Sequence, residues 1–303
     1  MNTKTITLTQ EEINQLEKRL AHGEIKKTPN YAKFQIKVEN CTITAYNSGK
    51  VVFQGEDASN IAKLVAPCQK DTASVKIKSS SSSSSSCALA YGYPQCGSDE
   101  VGTGDYFGPV TVCAACVKES DIAFLNDLAI QDSKALQDDY IRKIAPQLIK
   151  RLTHSLLILD NRKYNAIHDQ YNMVAIKTRL HNQAYVHLLK KLDEPPKICI
   201  IDQFVQKTSY YRYLNGVNEV VRNIHFETKA ENKYLSVAAA SIIARYAFLE
   251  CMDKMSEHYQ FDFLKGAGSK VDQNIRDFVD HYSQEELQNV AKLHFANTKK
   301  AFA

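Results

Sequence analysis

The stretch Gly97-Ser-Asp-Glu-Val-Gly-Thr-Gly-Asp-Tyr-Phe-Gly-Pro109 decides how the rest of the chain is interpreted. Two adjacent carboxylates, Asp99 and Glu100, stand directly before a threonine that is bracketed by glycines. A divalent cation would neutralise such a pair, and the turn offers exposed backbone donors beside it. The alternative is a surface turn, but strand-like apolar segments at 88–93 and 110–117 flank the pair, and carboxylates between core strands are costly to desolvate. The pattern favours phosphate chemistry.

Length and composition limit the class of protein. A chain of 303 residues with 44% hydrophobic residues is long enough for two domains. It contains no apolar run of membrane-spanning length and no signal-peptide layout at its start, which predicts a cytoplasmic protein without a membrane partner. The eight cysteines are scattered and are interpreted as reduced thiols. Cys113 and Cys116 fall in a predicted strand, where their odd spacing points them to opposite faces and disfavours a shared metal.

A run of eight serines, Ser79 to Ser86, cannot bury apolar area and marks a flexible domain boundary. The predicted organisation is a small domain over 1–78, a linker over 79–90 and a larger domain over 91–303. The small domain is predicted as helix, three strands and helix, with its first helix capped by Thr9 or Thr7 and its last at 57–66.

The formal charge excess lies in this first domain, where 12 Lys and Arg face 8 Asp and Glu, whereas the remainder has 26 of each. Five lysines are predicted on or near one exposed sheet face. They would either contact nucleic-acid phosphates or simply solvate the surface. These are Lys26, Lys27, Lys33, Lys37 and Lys50.

Strands and helices alternate after the serine run, which predicts an α/β domain. Strands are expected at 155–159 and 197–201, and helices at 168–192 and 235–257. Asp202 follows a buried strand, where α/β proteins collect functional groups, and Glu231 precedes a long helix, either as a partner in the same site or as a first-turn helix acid. Acids that converge repel each other unless cations are bound, and Mg²⁺ or Mn²⁺ prefer oxygen ligands. Two such ions support phosphodiester hydrolysis, so the chemistry indicated is that of a nuclease.

Several motifs, in this order, carry a family resemblance over most of residues 91–300. The chain resembles bacterial ribonuclease HIII, of the type 2 ribonuclease H family. The motifs are Gly97 to Pro109, Asp132-Ser-Lys134, 172–177, 181–184, Ile201-Asp-Gln-Phe204, 229–245 and His294-Phe-Ala-Asn-Thr298. The resemblance implies a ribonuclease H-like fold, α/β with a mixed central sheet flanked by helices, preceded by a small α+β TATA-binding-protein-like substrate-binding domain.

The same resemblance implies an endonuclease that cleaves the RNA strand of RNA/DNA hybrids and leaves a 5′-phosphate. It assigns catalysis and metal binding to Asp99, Glu100, Asp202 and Glu231. Glu231 and the Gly102-Thr103-Gly104 turn both distinguish the chain from the sister family, ribonuclease HII.

Substrate contacts fall on the glycine turn and on one lysine. Backbone groups of Gly102, Thr103 and Gly104 would bond ribose 2′-hydroxyls, and Lys134 would hold a phosphate. His181 and His187 are expected to be packed or on the surface, and 210–213 would either stack on a nucleic acid or pack a helix. Incision at single ribonucleotides in duplex DNA and a non-catalytic binding role are the alternatives. A monomer is expected.

Overall fold

The computed structural model describes residues 2–20, 24–26, 28–29, 31–38, 41–55, 91–130 and 136–302. The chain divides into two compact units, with the boundary after residue 79. Four predicted features lie outside the described residues. They are the serine linker, the helix at 57–66, Lys27 and Lys134.

The first unit has strands β1 (Asn2–Thr7), β2 (Glu24–Ile25), β3 (Ala32–Val38), β4 (Cys41–Tyr46) and β5 (Lys50–Gly55) and helix α1 (Gln10–Arg19). The strands form an antiparallel sheet in the order β1-β5-β4-β3-β2. Ile13 of the helix packs with sheet residues such as Ile43 and Phe53 to form this unit's core. Thr9 caps the helix as predicted, through a reciprocal pair of bonds with Glu12.

Three details of this unit were not predicted: strands β1 and β2, and a bulge in β3. Strand β1 was missed because Ile6 is its one large apolar residue, and its pairing with β5 stabilises it instead. A bulge between Ala32 and Phe34 makes Lys33 an extra residue, and its ammonium bonds Asn14 of the helix. Lys33 is nevertheless exposed, as predicted, and so are Lys37 and Lys50.

The second unit is built on a mixed five-stranded sheet in the order β10-β9-β6-β7-β8. Strand β6 lies in the middle, parallel to β9 and antiparallel to β7. The strands are β6 (Gln95–Val101), β7 (Val110–Val117), β8 (His154–Leu159), β9 (Ile198–Asp202) and β10 (Ile224–Glu227).

Helices cover both faces of this sheet. They are α2 (Ile122–Asp127), α3 (Asp138–Arg151), α4 (Asn161–His168), α5 (Met173–Leu189), α6 (Lys207–Tyr213), α7 (Leu235–Tyr259), α8 (Ser269–His281), α9 (Leu287–Val290) and α10 (Ala296–Ala301). Helix α7 covers one face and α5 the other, and each forms a separate hydrophobic core with the sheet. Cys113 belongs to the first core and Cys116 to the second, so their predicted opposition is confirmed.

The predicted helix at 168–192 begins too early, because the observed helix starts at Met173. The chain forms α4, breaks, and begins α5 after Asn172, whose side chain accepts a bond from the Ala175 amide at 2.9 Å. Helix α7 matches the prediction closely. Among the described residues, α7 is the one helix whose length and composition would suit a membrane span, but 72% of its apolar window is buried inside the protein, as in a core helix.

Gly97 allows α7 to approach the sheet closely. A Cβ at this position would stand 2.3 Å from the Val237 amide nitrogen and 2.5 Å from the Ser236 carbonyl carbon. The small residues Ala238 to Ala240 continue the same contact along the helix. The close packing places the start of α7 beside Gly97 and, further along the strand, Ser241 beside Asp99.

Candidate active site

Asp99 and Glu100 lie inside strand β6, not in a connecting loop. Consecutive residues of a strand point to opposite faces, so Asp99 faces helix α7 and Glu100 faces helix α5. The partners across β7 agree with this, because Asp99 is opposite Cys113 and Glu100 is opposite Val112. The adjacent acids of the sequence therefore have different surroundings.

The Asp99 carboxylate is 8% exposed. It accepts a bond from the Glu100 amide at 2.8 Å and another from the Ser241 side chain on α7. Burial, then the negative charge of Glu100 and, more weakly, that of Asp202, raise the pKa of Asp99 to about 7. This carboxyl is therefore in an environment that a cation would stabilise.

Glu100 is held by two residues of α5. Its Oε2 lies 2.8 Å from His181 Nε2, and Lys177 bonds its other oxygen. Burial by itself would raise the pKa of Glu100, but the bonds and charges of His181 and Lys177 outweigh it and lower the pKa to about 2. Glu100 is therefore ionised throughout the neutral range.

His181 and Lys177 are themselves fixed in place. His181 is 0% exposed, with its Nδ1 2.9 Å from the Ser98 hydroxyl, and both side chains lie against the ring of Phe204. His181 is buried, as expected, but its bond to Glu100 was not foreseen. The signal was available, because Lys177 and His181 are four residues apart and share one helix face.

Asp202 ends strand β9 on the same sheet face as Asp99. Its Oδ1 accepts a bond from the Ala230 amide at 3.1 Å, which ties it to the short 3₁₀ turn Ala230–Asn232. Glu231 lies on this turn and is 1% exposed. The turn precedes α7 and contacts β9, so it brings Glu231 to the same end of the sheet.

Asp99, Glu100 and Asp202 line one cavity of about 360 Å³, which Gly102, Thr103 and Arg245 also line. Glu231 and Gly104 are not among its lining residues. Arg245 of α7 is held by two bonds to Asp138, at 2.9 and 3.0 Å. The structure thus brings three of the four predicted acids into one cavity, whereas the fourth, Glu231, is buried and does not line it.

Gly102 begins the turn with a φ of +92°, a conformation that favours glycine. A Cβ there would stand 2.1 Å from the Pro109 carbonyl oxygen, so the turn cannot accept a side chain at this position. No heavy atom lies within 4 Å of the Cβ position at Gly104, which faces open space. The backbone of the turn is therefore fixed at Gly102, and the turn is open to solvent or substrate at Gly104.

The donor set suits a hard divalent cation, because the three carboxylates that line the cavity offer oxygen ligands. Burial first, and then the negative charge of Glu100, raise the pKa of Asp99, and a bound cation would offset both. In the described part of the chain, no group of three or more acidic, histidine or cysteine side chains already stands at metal-ligand spacing. One reason is that Glu100 is turned toward Lys177 and His181.

Comparison with known proteins agrees with the fold. A family model described as Ribonuclease HII matches residues 96–298, and a model for a domain of unknown function matches residues 3–77. This family match, over residues that include the mixed sheet and the acids at its end, places the chain in the class of ribonuclease H endonucleases.

The relatives narrow the class. Ribonuclease HIII of Bacillus pumilus (strain SAFR-032) is 43% identical and that of Bacillus subtilis (strain 168) is 41% identical; each match covers 99% of this chain, and 99% and 97% of the relatives. A solved structure of Bst-RNase HIII in complex with Mn²⁺ is 37% identical with a TM-score of 0.70, over 99% of this chain and 98% of that one. The chain belongs to the ribonuclease HIII family and is a ribonuclease H endonuclease.

Proposed function

We propose that this endonuclease hydrolyses the RNA strand of RNA/DNA hybrids with Mg²⁺ or Mn²⁺ and leaves a 5′-phosphate, acting as a monomer in the cytoplasm. The observation that carries the proposal is that Asp99, Glu100 and Asp202 line the same cavity as the Gly102-Thr103 turn. Acids suited to metal ions and backbone groups suited to a ribose thus lie within reach of one phosphodiester.

Asp99, Glu100, Asp202 and Glu231 are the proposed metal-binding and catalytic residues. When bound, the divalent ions activate a water and stabilise the leaving oxygen. The chain's own part is to keep oxygen ligands ionised and fixed: Lys177 and His181 hold Glu100, and the Ala230 amide orients Asp202. The Mn²⁺ complex of the Bst relative supports this assignment.

Backbone groups of Gly102, Thr103 and Gly104 are the proposed contacts to ribose 2′-hydroxyls. The fixed conformation of Gly102 supports this role, because a rigid turn presents its donors and acceptors without an ordering cost. Lys134, outside the described residues, is the proposed phosphate contact.

The first domain is the proposed substrate-binding domain, of TATA-binding-protein-like type. We assign residues 1–78 to it, 79–90 to a linker and 91–303 to the catalytic domain. The exposed Lys37 and Lys50 support phosphate contacts on its sheet. A flexible link would raise the local concentration of substrate near the catalytic domain.

Incision at a single ribonucleotide in duplex DNA is the second candidate, and the match to the Ribonuclease HII family model favours it. A side-by-side assay on a long hybrid and on a duplex with one ribonucleotide, each with Mg²⁺ and with Mn²⁺, separates the two. We expect faster cleavage of the hybrid. Preferential incision of the single-ribonucleotide duplex with both ions would overturn the proposal.

The variant Asp202→Asn tests the site itself in the same assay. Without the Asp202 charge, we expect hybrid cleavage to fall at least about a hundredfold, since metal and acid–base contributions of single groups reach this size. Hybrid binding, measured by fluorescence anisotropy in Ca²⁺, should change little. Retained cleavage would remove Asp202 from the catalytic set.

A further inference from the structure

Three cysteines lie side by side on three adjacent strands of the catalytic sheet. Cys96 on β6 is the direct partner of Cys116 on β7 and of Cys199 on β9. All three belong to the core that α5 covers, on the face opposite Asp99. The cluster therefore lies outside the acidic cavity.

Strand spacing limits which of these thiols can be joined. Neighbouring strands are about 4.8 Å apart, which is within the Cα separation of about 4.4–6.8 Å that a disulfide spans. Cys116 and Cys199 are two strand spacings apart, about 9.5 Å, and this exceeds the limit of about 7 Å. Any disulfide within the cluster must therefore include Cys96.

The thiols differ in their surroundings. Hydrogen bonds to the thiols of Cys116 and Cys199 raise the pKa of Cys96. The hydrogen bond from Cys96 lowers the pKa of Cys116, and the positive charge of Lys118 lowers it further. This asymmetry means that Cys96 donates its proton toward the sulfur of Cys116.

Access to the cluster is through Cys199. Its side chain is 5% exposed and lines a cavity of about 370 Å³ together with Leu192, Pro196 and Val221, whereas Cys96 is completely buried. A small oxidant in this cavity meets the Cys199 thiol before the other two. Sulfur oxidation depends on such access and on a resolving thiol beside the oxidised one.

We propose that Cys199 and Cys96 form a thiol site that reduces hydrogen peroxide and closes a Cys96–Cys199 disulfide. The Cys199 sulfur attacks one peroxide oxygen, the O–O bond breaks, and a sulfenic acid and one water form. The Cys96 sulfur then attacks the Cys199 sulfur, the S–S bond forms and the S–O bond breaks. The Cys96 proton passes to the leaving hydroxide, which departs as a second water. Two thiols lose two electrons, and one peroxide gains them.

Peptide mapping of the full-length protein tests this proposal. The reduced protein is treated with equimolar hydrogen peroxide, free thiols are alkylated, and disulfide-linked peptides are identified by mass spectrometry. We expect a Cys96–Cys199 link that dithiothreitol removes. In Cys96→Ala, dimedone should label Cys199, because its sulfenic acid has no resolving thiol. In Cys113→Ala, a matched buried control on the opposite face of β7, the link should form as in the unmodified protein.

The variant Cys116→Ser tests whether the third thiol is needed for the link. The Cys96–Cys199 link should form as in the unmodified protein, because Cys116 is two strand spacings from Cys199 and cannot take part in it. Circular dichroism checks folding, and Cys96→Ser replaces Cys96→Ala if the latter does not fold.

Two results would overturn the proposal. One is a link between Cys116 and Cys199, and the other is an unmodified Cys199 under conditions that oxidise the half-buried Cys251. Neither result depends on nuclease activity, so the outcome is independent of the proposed function.

Discussion

Asp99 and Glu100 are neighbours in the chain but have opposite electrostatic surroundings. Burial and the charges of nearby acids raise the pKa of Asp99 to about 7, whereas Lys177 and His181 outweigh burial and lower that of Glu100 to about 2. The separation arises because consecutive strand residues face different helices. A bound cation would therefore stabilise the ionised form of Asp99, whereas Lys177 and His181 already keep Glu100 ionised.

The raised pKa of Asp99 predicts how stability depends on pH in the metal-free protein. Between its ordinary value of 3.8 and about 7, the folded state binds more protons than the unfolded state, so the free energy of unfolding falls as pH rises through this window. Asp99→Asn should reduce this fall and raise the Tm at pH 8, while abolishing cleavage. Thermal melts from pH 4 to 8 measure this. The exposed Asp280→Asn is the control, and an unchanged pH dependence in Asp99→Asn would contradict the assignment.

Lys177→Met tests the support of Glu100. The substitution keeps the length of the side chain but leaves a nearly buried carboxylate without its ammonium partner, so we expect a loss of about 1–3 kcal/mol in the free energy of unfolding. The exposed pair of Lys190 and Glu219 offers a matched control, and Lys190→Met should cost less than about 1 kcal/mol. Equal losses in urea titrations would mean that the pair at Glu100 contributes no more than a surface ion pair.

At the scale of elements, the site depends on the contact between β6 and α7. The helix supplies Ser241 to Asp99 and Arg245 to the cavity, and the turn before it carries Glu231. Gly97 permits this contact, since a side chain there would meet the helix backbone. The packing of one helix on one strand therefore sets the geometry of three functional groups.

Gly97→Ala and Gly104→Ala form a matched pair of substitutions. The first places a methyl 2.3 Å from the Val237 amide nitrogen and should cost at least about 2 kcal/mol of stability. The second meets no heavy atom within 4 Å, so stability should change by less than about 0.5 kcal/mol. Its KM for hybrid should rise, because the methyl would stand in the turn proposed to contact ribose. An unchanged KM in Gly104→Ala would argue against that contact.

At the scale of the whole molecule, the two units have separate cores and separate sheets. The second unit contains every acid of the candidate site. The first has a capped helix on an antiparallel sheet and carries exposed lysines. Catalysis and the ribose contacts are therefore proposed for the second unit, and additional substrate binding for the first.

Deletion of residues 1–86 separates these two roles. We expect KM for hybrid to rise more than kcat falls, because the acids remain while the proposed substrate-binding domain is lost. Steady-state kinetics on a long hybrid measure both constants, with circular dichroism to check that the remaining unit folds. An unchanged KM would mean that the first domain does not contribute to substrate binding under these conditions.

The sequence predicted much of the fold because its signals are local. The cap at Thr9, the strand runs around β8 and β9 and the small-residue helix α7 each depend on neighbouring residues, and each was confirmed. Strand β1 was missed because it depends on pairing with β5 across nearly fifty residues. The break before α5 was missed because the cap at Asn172 lies within an otherwise helical pattern.

The sequence by itself was enough to propose the acids of the site, because motif order and residue type are properties of the chain. Only the tertiary structure decided the surroundings of each acid. Asp99 faces α7 and is close to the negative charges of Glu100 and Asp202, whereas Glu100 faces Lys177 and His181. It also aligned Cys96 with Cys116 and Cys199, which are 20 and 103 residues away in the chain. The physical reason is that strand register and helix packing set distances and burial, and these in turn set the pKa values and the bonds that can form.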